Sequence, residues 1–199
     1  MAKGPRYRRP NRRRAEGKTN YSKRLKLLKS KKIRAVIRAS NNHMIIQFVE
    51  SKMGGDKILI SAHSRELVQQ FGWKANTKNI PASYLTGYLA GLKAKKNNID
   101  GVILDLGIFY HRNRVLAAVQ GLIKAEIEIP YRDEFFPETL KDRISGIHIE
   151  NYANLLKDED SEKYNQVFSS YLKKSKINPS KISQIFNDTL KSITNKAKM

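Results

Sequence analysis

The stretch Lys32–Glu50, KIRAVIRASNNHMIIQFVE, decides the fold because its apolar residues recur with a period of two. Ile33, Ala35 and Ile37 alternate with Arg34, Val36 and Arg38, as in a strand with one buried face, and the open face here carries arginines. Ser40-Asn41-Asn42 supplies turn chemistry. Beyond it, Met44, Ile46 and Phe48 share one face of a second strand, and His43, Ile45, Gln47 and Val49 share the other. Gly54-Gly55-Asp56 marks a further turn, and Lys57–Ser61 reads as a third strand. The spacing predicts a three-stranded antiparallel meander in which Arg34, Arg38, His43 and Gln47 jointly form a polar platform.

Downstream the period lengthens. Ser64 is placed to cap a helix through Phe71 that stops at Gly72, and Pro81 suits the first turn of a longer helix with Leu85, Tyr88, Leu89 and Leu92 as its stripe. The run Val102-Ile103-Leu104 reads as a strand buried on both faces and left at Gly107, so a crossover joins it to the meander. Residues 114–126 return to the helical period through Val115, Val119 and Leu122, with Pro130 closing that helix. Residues 131–148 read as irregular around Pro137. Tyr164, Val167, Phe168, Tyr171 and Leu172 then form one helical stripe. Asn178 and Pro179 open a last helix carrying Ile182, Ile185, Phe186 and Leu190. The fold class is α/β (α+β): a mixed sheet, helices packed on it, an extended basic N-terminal arm and a helical C-terminal tail. The expected divisions are an arm and short helix over 1–30, a core over 31–150 and a helical extension over 151–199.

Upstream of the first strand the chemistry is cationic. The net charge of +21 arises from 39 basic and 18 acidic residues, and residues 1–40 alone hold 16 Lys or Arg against Glu16. Residues 1–18, MAKGPRYRRPNRRRAEGK, cannot bury enough apolar surface to fold alone and imply an extended arm that orders on a polyanion. Arginine dominates residues 6–14, and its planar fork suits paired bonds to phosphate and stacking on bases, with Tyr7 and Tyr21 as further stacking platforms. Thr19 or Asn20 is placed to cap a short helix in which Tyr21, Leu25 and Leu28 share a face, while Lys23, Arg24, Lys26 and Lys29 crowd the rest.

Other function classes fare worse. The 199-residue chain has no cysteine, which excludes disulfides, thiolate metal sites and a cysteine nucleophile. No stretch approaches the ~18 apolar residues of a spanning helix, and arginines occupy the place of a signal peptide's apolar segment, so a soluble, cytoplasmic protein without membrane contacts is expected. His43, His63, His111 and His148 lack ligand spacing, and no metal, cofactor or small-molecule substrate is implied. Neither the aromatic signature of an RRM nor a KH loop is present. The Gly87/Gly91 spacing reads as a device for packing the crossover helix close to the sheet. Asp105, in Ile-Leu-Asp-Leu-Gly at the end of a strand, admits two readings. It either caps a turn or is a magnesium ligand of a ribonuclease H-type nuclease, with Asp56, Asp100, Glu126 and Glu128 as further carboxylates. A non-specific RNA chaperone is a third possibility.

The segment GPRYRRPNRRRAEGKTNYSKRLKLLKSKKIRAVIRASNNH, residues 4–43, closely resembles the archaeal and eukaryotic branch of the large-subunit ribosomal protein eighteen family, called ribosomal protein five in eukaryotes. The likeness recurs at Pro81–Gly91, Ile103–Gly107, Arg114–Gly121, Ile129-Pro130 and Arg143–Ile149. It implies a non-enzymatic protein of the central protuberance with a fold of the translational-machinery-component type. Its arm would thread between 5S and 23S rRNA while its sheet rests on 5S rRNA, beside neighbouring large-subunit proteins. Carried onto this chain, the RNA contacts expected are Lys3, Arg6, Tyr7, Arg8, Arg9, Arg12, Arg13, Arg14, Lys18, Thr19, Tyr21, Lys23, Arg24, Lys26, Arg34, Arg38, Asn41, Asn42, His43 and Gln47. Ile108–Arg114 and Tyr131 depart from the family pattern, which leaves Arg112 and Arg114 without an assigned contact. The tail beyond residue 150 matches only loosely.

Overall fold

The computed structural model describes residues 4–108 and 113–198. The arm leads through a single helical turn, α1 (Arg12–Ala15), to α2 (Tyr21–Lys29), whose N-terminus Asn20 caps by accepting the Lys23 N–H. A fully extended arm is therefore corrected at Arg12–Ala15. There Glu16 bonds back to Arg12 four residues away and also to Lys18, and Gly17, at φ 63°, ends the turn. The apolar stripe of α2 is also different from expectation: Tyr21 and Leu25 stay exposed, and Leu27 and Leu28 are the half-buried pair.

Strands β1 (Arg34–Ala39), β2 (Met44–Lys52) and β3 (Gly55–His63) form the predicted meander. Ala35 faces Phe48 and Ile37 faces Ile46 across β1 and β2, and all four are fully buried. One register step would have put them in water, so the alternation alone fixes this pairing. Helix α3 (Ser64–Phe71) follows directly. Its cap is His63, not Ser64: the imidazole Nδ1 accepts the Arg65 N–H while Glu66 accepts the His63 N–H, and Gly72 ends the helix at φ 72° as expected. Helix α4 (Ile80–Lys96), capped by Asn79, carries the chain back to β4 (Ile103–Asp105). β4 lies parallel to β1, giving the order β3-β2-β1-β4. The sheet is mixed and the crossover is present. β4 is an edge strand, however, with Ile103 and Leu104 only half-buried, so the expectation of burial on both faces fails. A short apolar run looks alike in an edge strand and a central one.

Helix α5 (Asn113–Lys124) buries Val115, Val119 and Leu122 but stops well before Pro130, because Glu126 turns left-handed at φ 60°. The freed chain then pairs Glu128 with Gly101. Helices α4 and α5 cover the inner face of the sheet, with Ala90, Ala94, Ala118 and Leu122 against Ile37, Ile46 and Phe48. Their other side receives a second helical layer. α6 (Leu140–Ser145), α7 (Ile147–Glu159), α8 (Ser161–Val167), a wide π-type turn over Ser170–Ser175, and α9 (Ile182–Lys198) make up this layer. Residues 140–145 and 147–148, expected to be irregular, are thus helical, with Gly146 at φ 83° as the break between them. α9 brings Ile182, Phe186 and Ile193 onto Leu85, Leu89 and Leu116, and Phe168 fills a small cluster with Ala153 and Leu156. Among the described residues no helix is long and apolar enough to cross a membrane.

The glycines of the crossover helix serve a helix, not the sheet. A Cβ on Gly87 would lie 2.1 Å from the Ala118 carbonyl oxygen, and one on Gly121 would lie 2.2 Å from that of Tyr84. Such distances are far inside van der Waals contact, so backbone must touch backbone where α4 crosses α5. The Gly121→Ala substitution is expected to lower the unfolding free energy by about 1–3 kcal/mol, as overpacking does. Gly54→Ala, where an added Cβ meets nothing within 4 Å, is expected to stay within about 0.5 kcal/mol. Urea titrations of both variants check this, and equal midpoints would refute the close crossing.

Candidate nucleic-acid interface

Cations gather where α2 lies beside the end of β4. Arg13 donates from Nε to Thr19 Oγ1 at 3.0 Å, Lys23 Nζ reaches the Gly107 carbonyl at 3.4 Å, and Arg38 reaches the same turn from the sheet. Between them is a cleft of about 190 Å³ lined by Arg13, Lys18, Lys23, Arg24 and Arg38, with Asp105 as its one carboxylate. Five cations against one acid in so small a space favour an anion. A second, more open hollow is bounded by Arg8, Arg9, Arg14 and Tyr21. It puts an exposed ring among guanidinium groups, the pairing that suits stacked bases beside phosphates.

The sheet holds this cluster through a chain of alternating charges. Arg34 donates to Asp56 at 2.7 Å and to Asp105 at 2.9 Å, and Arg24 shares the same Asp56 oxygen at 2.9 Å. On the far side Arg38 donates to Asp105 Oδ1 at 2.8 Å and to the Asp105 and Ile37 carbonyls. The Gly107 N–H completes the set at 3.1 Å. Gly107 sits at φ 65°, and a Cβ there would stand 3.1 Å from the Arg38 guanidinium. Burial pushes the Asp105 carboxyl up. The Arg38 hydrogen bond and charge, the Gly107 N–H and the Arg34 charge outweigh it and hold the carboxyl below the ordinary aspartate value. Asp56 is likewise raised by burial and more strongly lowered by Arg34, Ser51 and Arg24.

This arrangement corrects the platform expected of the open face. Arg34 is 1% exposed, with both terminal nitrogens committed to carboxylates, so it lies beneath the surface and supports it. Strand alternation tells which face a side chain takes but not what covers it. His43 also turns inward. Its Nδ1 lies 3.2 Å from the hydroxyls of Ser64 and Thr77, and its ring packs 4.7 Å from that of His63. Gln47 is half-buried, whereas Arg38, Asn41 and Asn42 are exposed. Arg6, Tyr7, Arg8, Arg9, Arg12, Arg14, Lys23 and Lys26 are exposed as well, and Lys3 and Arg112 lie outside the described residues. Arg114 gains a role: its Nη1 donates to the Ser40 and Lys78 carbonyls, clamping the β1–β2 turn to the segment before α4.

The family model described as ribosomal large subunit proteins 60S L5 and 50S L18 matches residues 5–102. The large ribosomal subunit protein uL18 of Aeropyrum pernix is 44% identical over 186 residues, spanning 92% of this chain and 85% of the relative. That of Saccharolobus solfataricus is 42% identical over 195 residues, spanning 97% and 96%. The chain belongs to the uL18 family. As a uL18 protein it is a constituent of the large ribosomal subunit, where it assembles with rRNA and neighbouring ribosomal proteins. The likeness covers the arm, α2 and the sheet, the elements that build the cationic cleft.

The nuclease alternative loses its centre. Asp105 is wrapped by two guanidinium groups and a backbone N–H, and among the described residues no three His, Asp or Glu side chains gather as metal ligands. Asp56 and Asp105 were legible as carboxylates, but nothing in the sequence spacing joined either one to Arg34.

The network has a pH signature. Because both carboxyls are held below their ordinary value of 3.8, their stabilisation is fully present at neutral pH. It is lost as pH falls below 3.8 and through the depressed folded values. Asp105→Asn leaves Arg34 with half its partners and is expected to reduce stability by about 3–5 kcal/mol at pH 7, the loss typical of a broken buried pair. The gap to the parent chain is expected to narrow towards pH 2. Urea unfolding at both pH values measures it, and an equal gap at the two would count against the ion network.

Proposed function

We propose that this uL18-family chain binds 5S rRNA and helps attach it to 23S rRNA in the central protuberance. The observation that carries the proposal is the cleft between α2 and the β4–α5 turn, where Arg13, Lys18, Lys23, Arg24 and Arg38 converge from the arm, the first long helix and the sheet. An unfolded basic tail would neutralise any polyanion. Here Arg24 and Arg38 are instead held by Asp56 and Asp105, so part of the charge is presented at fixed spacing. Fixed spacing lets a folded RNA be told apart by its shape. The exposed arm, from Arg6 to Arg14, supplies most of the affinity and reaches the second RNA.

The division of labour makes separable predictions. Deleting residues 2–18 is expected to weaken 5S rRNA binding steeply and to flatten its dependence on salt. With 6–10 phosphate contacts the intact chain would lose about a thousandfold to a hundred-thousandfold in affinity between 50 and 200 mM salt. The Lys23→Ala, Arg38→Ala double variant keeps the arm and is expected to narrow the preference for 5S rRNA over transfer RNA. Competition binding of the two RNAs at matched salt reads both effects. Equal affinity for the two RNAs in the parent chain would indicate a general RNA chaperone and end the proposal.

A further inference from the structure

The outer surface of α7 and α8 reverses the charge of the arm, its acids outnumbering the exposed Lys157 and Lys163. α7 buries Ala153 and Leu156 against Phe168, as one amphipathic face requires. Other apolar side chains of the two helices stay open: Leu155 is 48% exposed, Tyr152, at the edge of the buried face with its ring 6.2 Å from that of Phe168, is 43% exposed, and Ile147 and Val167 are similarly exposed. Tyr152, Leu155 and Glu159 fall at i, i+3 and i+7, and Ile147 and Asp158 lie eleven residues apart, three helical turns along one neighbouring line. Leu155 therefore has acids one turn on, Asp158 at i+3 and Glu159 at i+4. Asp158, Glu159, Asp160 and Glu162 occupy four of five successive positions, all exposed, in a chain whose first forty residues hold one acid. Asp160 is occupied in capping α8 through the Lys163 N–H. The ion pairs found among the described residues include none of Asp158, Glu159 and Glu162.

Neither water nor RNA suits such a surface. A solvated helix gains nothing from leaving Leu155 and much of Tyr152 open on its surface. Carboxylates set against phosphates repel them, so the face disfavours the partner that the arm attracts. A tyrosine and aliphatic anchors bordered by unpaired charge have the anatomy of a protein interface, with apolar contacts at the centre and complementary charge at the rim. We infer that α7 and α8 dock a Lys/Arg-rich segment of a neighbouring large-subunit protein, with Tyr152 and Leu155 taking its apolar side chains and Asp158, Glu159 and Glu162 pairing with its cations. The inference rests on family membership and does not depend on which RNA the arm binds.

A photoreactive benzophenone side chain in place of Leu155, irradiated in intact large subunits, tests it. The expected adduct is a basic peptide of another ribosomal protein. An adduct to rRNA, an adduct to a second copy of this chain, or no adduct at all would each overturn the inference. Titrating the captured segment, as a synthetic peptide, against the full-length chain and an Asp158→Lys, Glu159→Lys variant supplies the second arm. The variant is expected to bind the peptide roughly tenfold or more weakly and with less salt dependence, while its 5S rRNA affinity is unchanged and its helical circular dichroism is that of the parent. Equal peptide affinity in parent and variant would also overturn it. Loss of 5S rRNA binding by the parent chain would bear on the proposed function alone.

Discussion

A single buried guanidinium, that of Arg34, is the constraint on which the cationic surface depends. Taking it out of water is expensive, and a well-packed apolar residue at that place would be as stable or more so. Its contribution is therefore geometric. By bonding Asp56 at the start of β3 and Asp105 at the end of β4, it ties together strands on both sides of β1. Through the shared carboxylates it also reaches Arg24 on α2 and Arg38 on β1. Five side chains from four elements thus settle each other's positions, and Arg24 and Arg38 at either end inherit a defined separation. A cluster of unpaired cations would spread apart under its own repulsion, whereas carboxylates placed between the cations hold them close to one another.

The same economy of position runs through the core. Gly87 and Gly121 let α4 and α5 meet backbone to backbone, which keeps both helices close over the inner face of a small sheet. α5 also reaches the loops at the edge of the sheet. Core and surface are one mechanical unit here. Arg114, at the first turn of α5, fastens the β1–β2 turn from the same helix.

Much of this was legible from periodicity. Alternation from Ile33 to Phe48 identified the meander and its buried face, because shifting either strand by one residue would expose Ile37 or Ile46. The stripe of α5 and the stop at Gly72 followed from helical spacing and from glycine's tolerance of positive φ. What escaped depends on contacts between residues far apart in the chain. Arg34 and Asp105 are 71 positions apart, and nothing local distinguishes an arginine facing water from one facing two carboxylates. The target of the glycines, the edge position of β4 and the inward turn of His43 failed for the same reason. The helical turn at Arg12–Ala15 escaped differently, since composition gave weight to repulsion among arginines and none to Glu16, which offsets it.

Charge is segregated along the molecule as well as along the sequence. The cationic arm, α2 and the outer face of the sheet lie on one side of the α4–α5 layer. α7 belongs with α6 and α9, on the other. At physiological ionic strength the Debye length is about 8 Å, so charges separated by a whole helical layer act almost independently. The net +21 is then a poor description of what any one partner meets. A phosphate approaching Arg13 meets a field set by its nearest cations, and a basic segment approaching Glu159 meets an acidic one of opposite sign. A protein wedged between RNA and other proteins needs that separation, because a uniformly basic surface would let RNA compete for every face.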